Sequence, residues 1–263
     1  MSESNKRNFI VHGSILAIAG ILVRIIGMLY RIPVVNIIGS EGNGIYGAAF
    51  NIYNIMLVLS SYGLPMAVSK LVSARFTKKR YKSAAKVLRC SLMVAVCTGG
   101  IAALLVFFGA SFIENVIYGG GLPGLAVPLR ILAPTIFLVA ILGVIRGFFQ
   151  GQSTMIPTAV SQILEQIVNA IVSIAAGYGM MKAFASSPDV AAYGAAGSTL
   201  GTAMGALTAV LFMGFLYAVY TPTFNRLKRK DRHTENQSTG QICKIIIYTM
   251  IPIILGQTFY QIS

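Results

Sequence analysis

The chain is predicted to be all-α, a polytopic membrane bundle of six transmembrane helices plus the start of a seventh. Three observations carry this. Hydrophobic residues make up 56% of the 263 residues and charged residues only 11%, whereas a soluble domain carries about 25% charged residues. The apolar residues fall in long runs of about 20, the length that a membrane helix needs. The remaining charge is lopsided, 21 Lys and Arg against 7 Asp and Glu, and it gathers between those runs. The apolar content excludes a disordered chain. The runs are too long and alternate too little for the strands of a membrane barrel. Three cysteines make a disulfide framework unlikely, and none forms a CxxC pair.

The first run spans 9–32 and is interrupted by Arg24. Lys6 and Arg7 precede it, and Ala17-Ile18-Ala19 looks like a cleavage site. The run continues past that point as a spanning helix would, so a signal peptide is not expected. The second run follows Gly44, within an uncharged stretch at 42–69. The third is 91–110, without charge. The fourth is 125–149, with Arg130 near its start. The fifth is 157–181 and carries Glu165. The sixth lies within 190–225, which is uncharged, and the seventh opens at 245 and is still apolar at 263.

Basic residues set orientation. With a cytoplasmic N-terminus, 17 of the 21 fall on the cytoplasmic side. They are Lys6, Arg7, the eight from Lys70 to Arg89, Arg146, Arg226, Lys228, Arg229, Lys230, Arg232 and Lys244. Arg31, Arg130 and Lys182 fall outside, and Arg24 lies in the membrane. Lys70, Lys78, Lys79 and Arg80 form a surface for anionic lipid. This placement accounts for the net charge of +14 without a nucleic-acid partner, whose binding needs a basic patch on a fold of its own.

Charges inside a bilayer are costly and face a cavity or a partner. Arg24 and Arg31 are seven residues apart, nearly two turns, and so share a face of the first helix. Guanidiniums suit phosphate oxygens, so an anionic headgroup is the expected ligand. Arg31 also has the option of snorkelling to the outer headgroups. Glu165 forms a polar stripe with Gln162, Gln166 and Asn169, at helical spacing. That stripe reads either as a cavity wall, meeting Arg24, a sugar or a coupling ion, or as a structural hydrogen-bond network. Pro65, Pro134 and Pro252 interrupt spans and are hinge candidates or static kinks. Gly197, Gly201 and Gly205, spaced by four, indicate close helix packing.

No catalytic signature emerges. His12 and His233 are the two histidines, and the chain has no HExxH, no P-loop and no dinucleotide fingerprint. No cofactor is implied. An embedded glycosyl- or phosphotransferase would need clustered acids at a metal site, and Glu41, Glu114 and Asp189 are scattered, while Asp231 and Glu235 lie in a basic loop.

Several segments resemble one known family. Arg24-Ile25-Ile26-Gly27-Met28-Leu29-Tyr30-Arg31-Ile32-Pro33 resembles the first helix of polysaccharide flippases, as do Gly63-Leu64-Pro65 and Ser69-Lys70-Leu71-Val72 the end of their second. Most specific is Arg146-Gly147-Phe148-Phe149-Gln150-Gly151, followed by Met155, Pro157-Thr158-Ala159, Ser161-Gln162 and Glu165-Gln166. Together they resemble the stage V sporulation protein B branch of the multidrug/oligosaccharidyl-lipid/polysaccharide exporter superfamily, with lipid II flippases as more distant relatives. The resemblance implies a two-lobe, MATE-like fold around a central cavity. It implies export of undecaprenyl-pyrophosphate-linked sugars or peptidoglycan precursors by alternating access, in the bacterial inner membrane. Arg24 and Arg31 would hold pyrophosphate, with Glu165 and Gln166 structural or gating, and Pro65, Pro134, Gly147 and Gly151 as gating or hinge positions. The chain then divides into a first lobe (1–222), a basic cytoplasmic linker (223–244) and the start of a seventh helix (245–263), the second lobe being missing. A cation-coupled drug exporter of the same superfamily and an inactive fragment are the alternatives.

Overall fold

The structure is a computed structural model that describes residues 3–232 and 238–262, with side chains for 14–232 and 238–257. His233, Glu235 and Ser263 therefore lie outside the described residues, as does the side chain of His12. The described chain is helical, with no strand: α1 (Glu3–Ser60), α2 (Gly63–Thr77), α3 (Tyr81–Phe112) continued by a π-turn at Ile113–Ile117, α4 (Ala126–Gly151), α5 (Ile156–Ala183), α6 (Val190–Lys230) and α7 (Thr239–Ile262).

Six helical runs among the described residues are long and apolar enough to cross a membrane. The first, Ser14–Thr77, has 64 residues. At 1.5 Å per residue it would be about 95 Å long, some three bilayer cores. It is interrupted at Gly39, whose φ of 70° and ψ of −175° are non-helical; only glycine adopts such an angle cheaply. The neighbours on either side show that the chain reverses there. Ascending α1, Gly27 faces Gln166, Tyr30 meets Asn169 and Ile38 meets Gly194, so this part runs parallel to α5. Beyond Gly39 the direction inverts: Gly42 faces Ala191, Ser60 meets Thr98, and Pro65 meets Gly143 and Gly147. The break at Gly39 thus divides this run in two, so the described residues form seven helical segments for the six apolar runs and the opening of a seventh.

The second pass is itself broken at Ser61–Tyr62, just before α2 and its Pro65. Pro65 is the third residue of α2, in the first turn, where its missing N–H costs nothing. The Ser60 carbonyl accepts from Thr98 Oγ1 at 3.0 Å and the Ser61 carbonyl from the Leu64 N–H at 3.1 Å. Both carbonyls at the break are thus satisfied, one by a hydroxyl of α3 and one within the turn. At the other end of α2, Arg80 N–H bonds to Arg75 O and Lys79 N–H to Phe76 O, both at 2.9 Å, a Schellman ending with Lys79 at φ 55°. Pro134 interrupts nothing: α4 is continuous across it.

α4 is the most enclosed span, with 56% of its membrane window buried. Its face of Gly143, Gly147 and Gly151 receives α2. A methyl on Gly147 would sit 2.6 Å from Pro65 O, and one on Gly151 would sit 2.8 Å from Ser69 O. Gly147 and Gly151 are therefore contact positions, where the backbones of α2 and α4 all but touch. α5 and α6 meet the same way, antiparallel. Gly197 closes on Ala176 O, Gly201 on Ser173 Oγ and Asn169 O, and Gly205 on Glu165 O. The glycine spacing of four predicted this packing.

Toward the basic end, Phe148 is fully enclosed among Phe76, Phe149, Tyr217, Tyr220 and Phe224, at centroid separations of 5.3–6.4 Å. Two carboxylates tie loops to helix starts. Glu114 accepts from the N–H groups of Gly124 (3.0 Å) and Ala126 (2.7 Å), capping α4. Asp231, 5% exposed, accepts from Lys82 N–H at 2.8 Å, capping α3.

The stretch 223–244 is shorter as a connector than its charge suggests. α6 runs on to Lys230 and α7 begins at Thr239. The early start has a local cause: Ser238 Oγ accepts from Gln241 N–H at 3.2 Å and Gln241 Oε1 from Ser238 N–H at 2.9 Å, a capping box. Ile242, Ile246 and Met250 of α7 are buried with Leu64, Val87 and Phe224, so this helix packs on the preceding ones.

The α2–α4 seam gives a direct test. Gly147→Leu is expected to abolish recovery of folded protein from detergent extracts, because the obstacle is the Pro65 backbone. Gly179→Ala, in α5 with open space around it, is expected to hold or raise the melting temperature, with helix propensity contributing up to about 1 kcal/mol.

Candidate functional site

The polar residues at membrane depth collect along α5 and on the parts of α1 and α4 that face it. Arg146 lies inside α4, five residues before its end. Its Nη2 donates to Glu165 Oε2 at 2.7 Å and its Nε to Ser161 Oγ at 2.9 Å. The side chains are 14% and 27% exposed. Ser161 Oγ in turn donates to the Thr158 carbonyl at 2.8 Å. The helical rise puts Arg146 about 8 Å from the end of α4 and Glu165 about 14 Å from the start of α5.

Arg146 was counted among the loop charges that set orientation; it is instead a paired charge within a helix, held there by a carboxylate. Of the two readings of the Glu165 stripe, cavity wall or structural network, the contacts of Glu165 itself are structural: its ion-pair partner is Arg146, not Arg24. The signal was present in the sequence. α4 and α5 are joined by a short turn around Gln152–Thr154, and Arg146 precedes that turn by about as many residues as Ser161 follows it. Residues so placed come opposite each other when the helices fold back.

The rest of the stripe divides in two. Asn169, 8% exposed, has a structural setting: its Nδ2 donates to Tyr30 OH at 3.3 Å, and its Oδ1 accepts from Ser173 Oγ at 2.9 Å and Thr202 Oγ1 at 3.5 Å. Ser173 Oγ also reaches the Ser198 carbonyl at 2.8 Å. This network joins α1, α5 and α6; Tyr30, Ser173 and Thr202 were not foreseen. Gln162 and Gln166 are half-buried, and their side chains hydrogen-bond to no described residue. They are the uncommitted donors and acceptors of the stripe.

Arg24 and Arg31 lie one turn to either side of Gly27, where a methyl would come 3.1 Å from Gln166 Nε2. Both guanidiniums are therefore on the flank of α1 that adjoins the glutamines. Both are exposed, and neither makes an ion pair or hydrogen bond with a described residue. The structure brings Arg24, Arg31, Gln162, Gln166 and the Arg146–Glu165 pair to one side of the bundle. It separates them from Lys70, Lys78, Lys79 and Arg80, all exposed at the basic end. Among the described residues no three of His, Cys, Asp or Glu gather where a metal could be held.

The electrostatics of the groove follow by subtraction. Glu165 is the one acid at this depth among the described residues, and a guanidinium neutralises it. Arg24 and Arg31 remain as uncompensated positive charge beside amide side chains. Such a surface can hold an anion with charge-assisted hydrogen bonds; it offers no free carboxylate to a cation.

Comparison with known proteins agrees with this architecture. The polysaccharide biosynthesis protein family matches residues 10–260. The lipid II flippase MurJ of Bacillus subtilis (strain 168) is 34% identical over 176 residues, covering 65% of this chain and 32% of its own length. Stage V sporulation protein B of the same organism is 30% identical over 210 residues, covering 79% of this chain and 39% of its own. Among solved structures, an outward-facing MATE family multidrug resistance transporter of the MOP superfamily superposes with a TM-score of 0.73 at 17% identity, over 95% of this chain and 53% of that one. The chain thus spans about a third to two-fifths of these curated relatives and about half of the transporter. It is a multi-pass membrane protein with a MATE-like helical fold, and it belongs to the polysaccharide biosynthesis protein family.

Proposed function

We propose that this chain forms one lobe of a bacterial inner-membrane flippase, with its N-terminus in the cytoplasm. The flippase moves an undecaprenyl-pyrophosphate-linked oligosaccharide or peptidoglycan precursor between leaflets by alternating access against a second lobe. The reading is carried by the charge balance of the α1–α5 groove. The carboxylate is already paired and two guanidiniums are free, so the natural ligand is a pyrophosphate. A drug cation would need the opposite balance, which disfavours a multidrug exporter despite the shared fold. The resemblance to a lipid II flippase supports the same substrate class.

In this mechanism Arg24 holds the pyrophosphate at mid-depth and Arg31 assists nearer the far end of α1. Gln162 and Gln166 hydrogen-bond the linked sugar or phosphate oxygens. The Arg146–Glu165 pair keeps α4 and α5 together, so that the lobe moves as one body and the site keeps its shape. Lys70, Lys78, Lys79 and Arg80 attract anionic headgroups around the basic end. The seam of Gly147 and Gly151 against α2 serves this rigidity too.

Removing one partner of the enclosed pair leaves the other charge uncompensated. Arg146→Ala is expected to cost about 3 kcal/mol, read as a lower melting temperature in detergent, and the double variant Arg146→Met/Glu165→Leu to recover most of it. Arg24→Ala is expected to weaken retention of a polyprenyl-pyrophosphate lipid in native mass spectra at least about tenfold, as loss of a charged hydrogen bond does. Arg24→Lys should keep the charge and recover part of the binding. Unchanged retention in both Arg24 variants would sink the reading.

A further inference from the structure

A second polar recess lies at the basic end, away from the α1–α5 groove. It has a volume of about 380 Å³, and its lining includes Lys82, Lys86 and Arg89 of α3, Lys228 of α6 and Thr239 of α7, with Met93 below them. The spacing of 82, 86 and 89 places three cations on one face of α3. Lys228 Nζ is steadied 5.2 Å above the Phe224 ring. Among the described residues the acid at this end is Asp231, which is 5% exposed and caps α3 through Lys82 N–H. Four basic side chains line one recess, and Lys82, Arg89 and Lys228 bring to it a positive potential that favours an anionic occupant.

The surface beyond the cations decides which anion. The face of α3 that carries Lys82, Lys86 and Arg89 continues as Met93, Cys97, Ile101, Leu104 and Phe108, all exposed; Phe108 is 76% exposed. From Met93 to Phe108 this strip extends about 22 Å along the helix, more than half the thickness of a hydrocarbon core. A polar head with apolar chains fits both parts, whereas a soluble anion fits only the first.

We propose that this recess binds the phosphate headgroup of an anionic phospholipid, whose acyl chains lie along the Met93–Phe108 strip of α3. The headgroup would touch Lys228 before the α6–α7 connector and Thr239 after it. One lipid would thereby fasten the start of α7 to α3 and α6. The site is independent of the substrate groove and does not rest on the flippase reading.

The test uses the chain in phosphatidylcholine nanodiscs with phosphatidylglycerol titrated in, followed by native mass spectrometry and by melting temperature. Retained phosphatidylglycerol and a raised melting temperature are expected. Lys82→Gln/Arg89→Gln should cut retention about 25-fold, roughly fivefold per basic residue removed near an anionic surface. Arg226→Gln/Lys230→Gln, which removes two exposed charges on another face of α6, should have a much smaller effect. Equal losses in the two pairs would reduce the site to general surface attraction and overturn the proposal. Lys82→Arg/Arg89→Lys guards against misfolding: it should keep the lipid, and its failure alongside the glutamine variant would overturn the role of charge. Inorganic phosphate is the remaining arm. If it displaces phosphatidylglycerol and stabilises lipid-free protein equally well, the occupant is a soluble phosphate and the lipid assignment falls.

Discussion

In a bilayer, apolar side chains gain nothing by leaving their solvent, because lipid tails are as apolar as leucine. Helices are held by how closely their backbones approach and by the polar groups they share. In this chain both kinds of contact converge on α4 and α5. The run Gly143, Gly147, Gly151 lets α2 lie against α4, and Gly197, Gly201, Gly205 let α6 lie against α5. Without the first seam α2 would stand off, and Phe148 would lose the enclosure formed with Phe76 and Phe224.

The six residues from Arg146 to Gly151 show how densely this constraint is written. Arg146 crosses to Glu165, Gly147 admits the Pro65 carbonyl, Phe148 fills the aromatic cluster and Gly151 admits Val72. These tasks cannot be exchanged: a side chain at 147 meets backbone, and a smaller one at 148 leaves a void. The groove of Arg24, Arg31 and the glutamines rests on this frame from the far side, through the Tyr30–Asn169 bond and the approach of Gly27 to Gln166.

Much of the architecture was legible because membrane helices announce themselves by length and apolarity, which are local properties. The seven helical segments, the α5–α6 glycine packing and the shared flank of Arg24 and Arg31 all follow from spacing along one helix. What was not legible depends on which helix lies opposite. Arg146 looked like a loop charge because its partner is 19 residues away, across a turn. The close contact of Gly147 and Gly151 was not legible because their partner, α2, lies far back in the chain. Glu114 looked like a scattered acid and Asp231 like part of a basic loop until the helix starts they cap came beside them. The start of α7 was missed for a humbler reason: the Ser238–Gln241 capping box was hidden in a segment whose charge drew attention away.

The turn between α4 and α5 bears on how the protein enters the membrane at all. A lone arginine or carboxylate at a helix centre raises the insertion free energy by about 2.5–3.5 kcal/mol on translocon scales, and less nearer the ends. Arg146 and Glu165 sit on consecutive helices joined by a few residues, so they can find each other before α6 and α7 have been made. α4 and α5 are thus suited to leave the translocon as a hairpin, its two charges already joined, rather than one helix at a time. An ion pair that holds the finished lobe together would then also set the order in which its parts are delivered to the lipid.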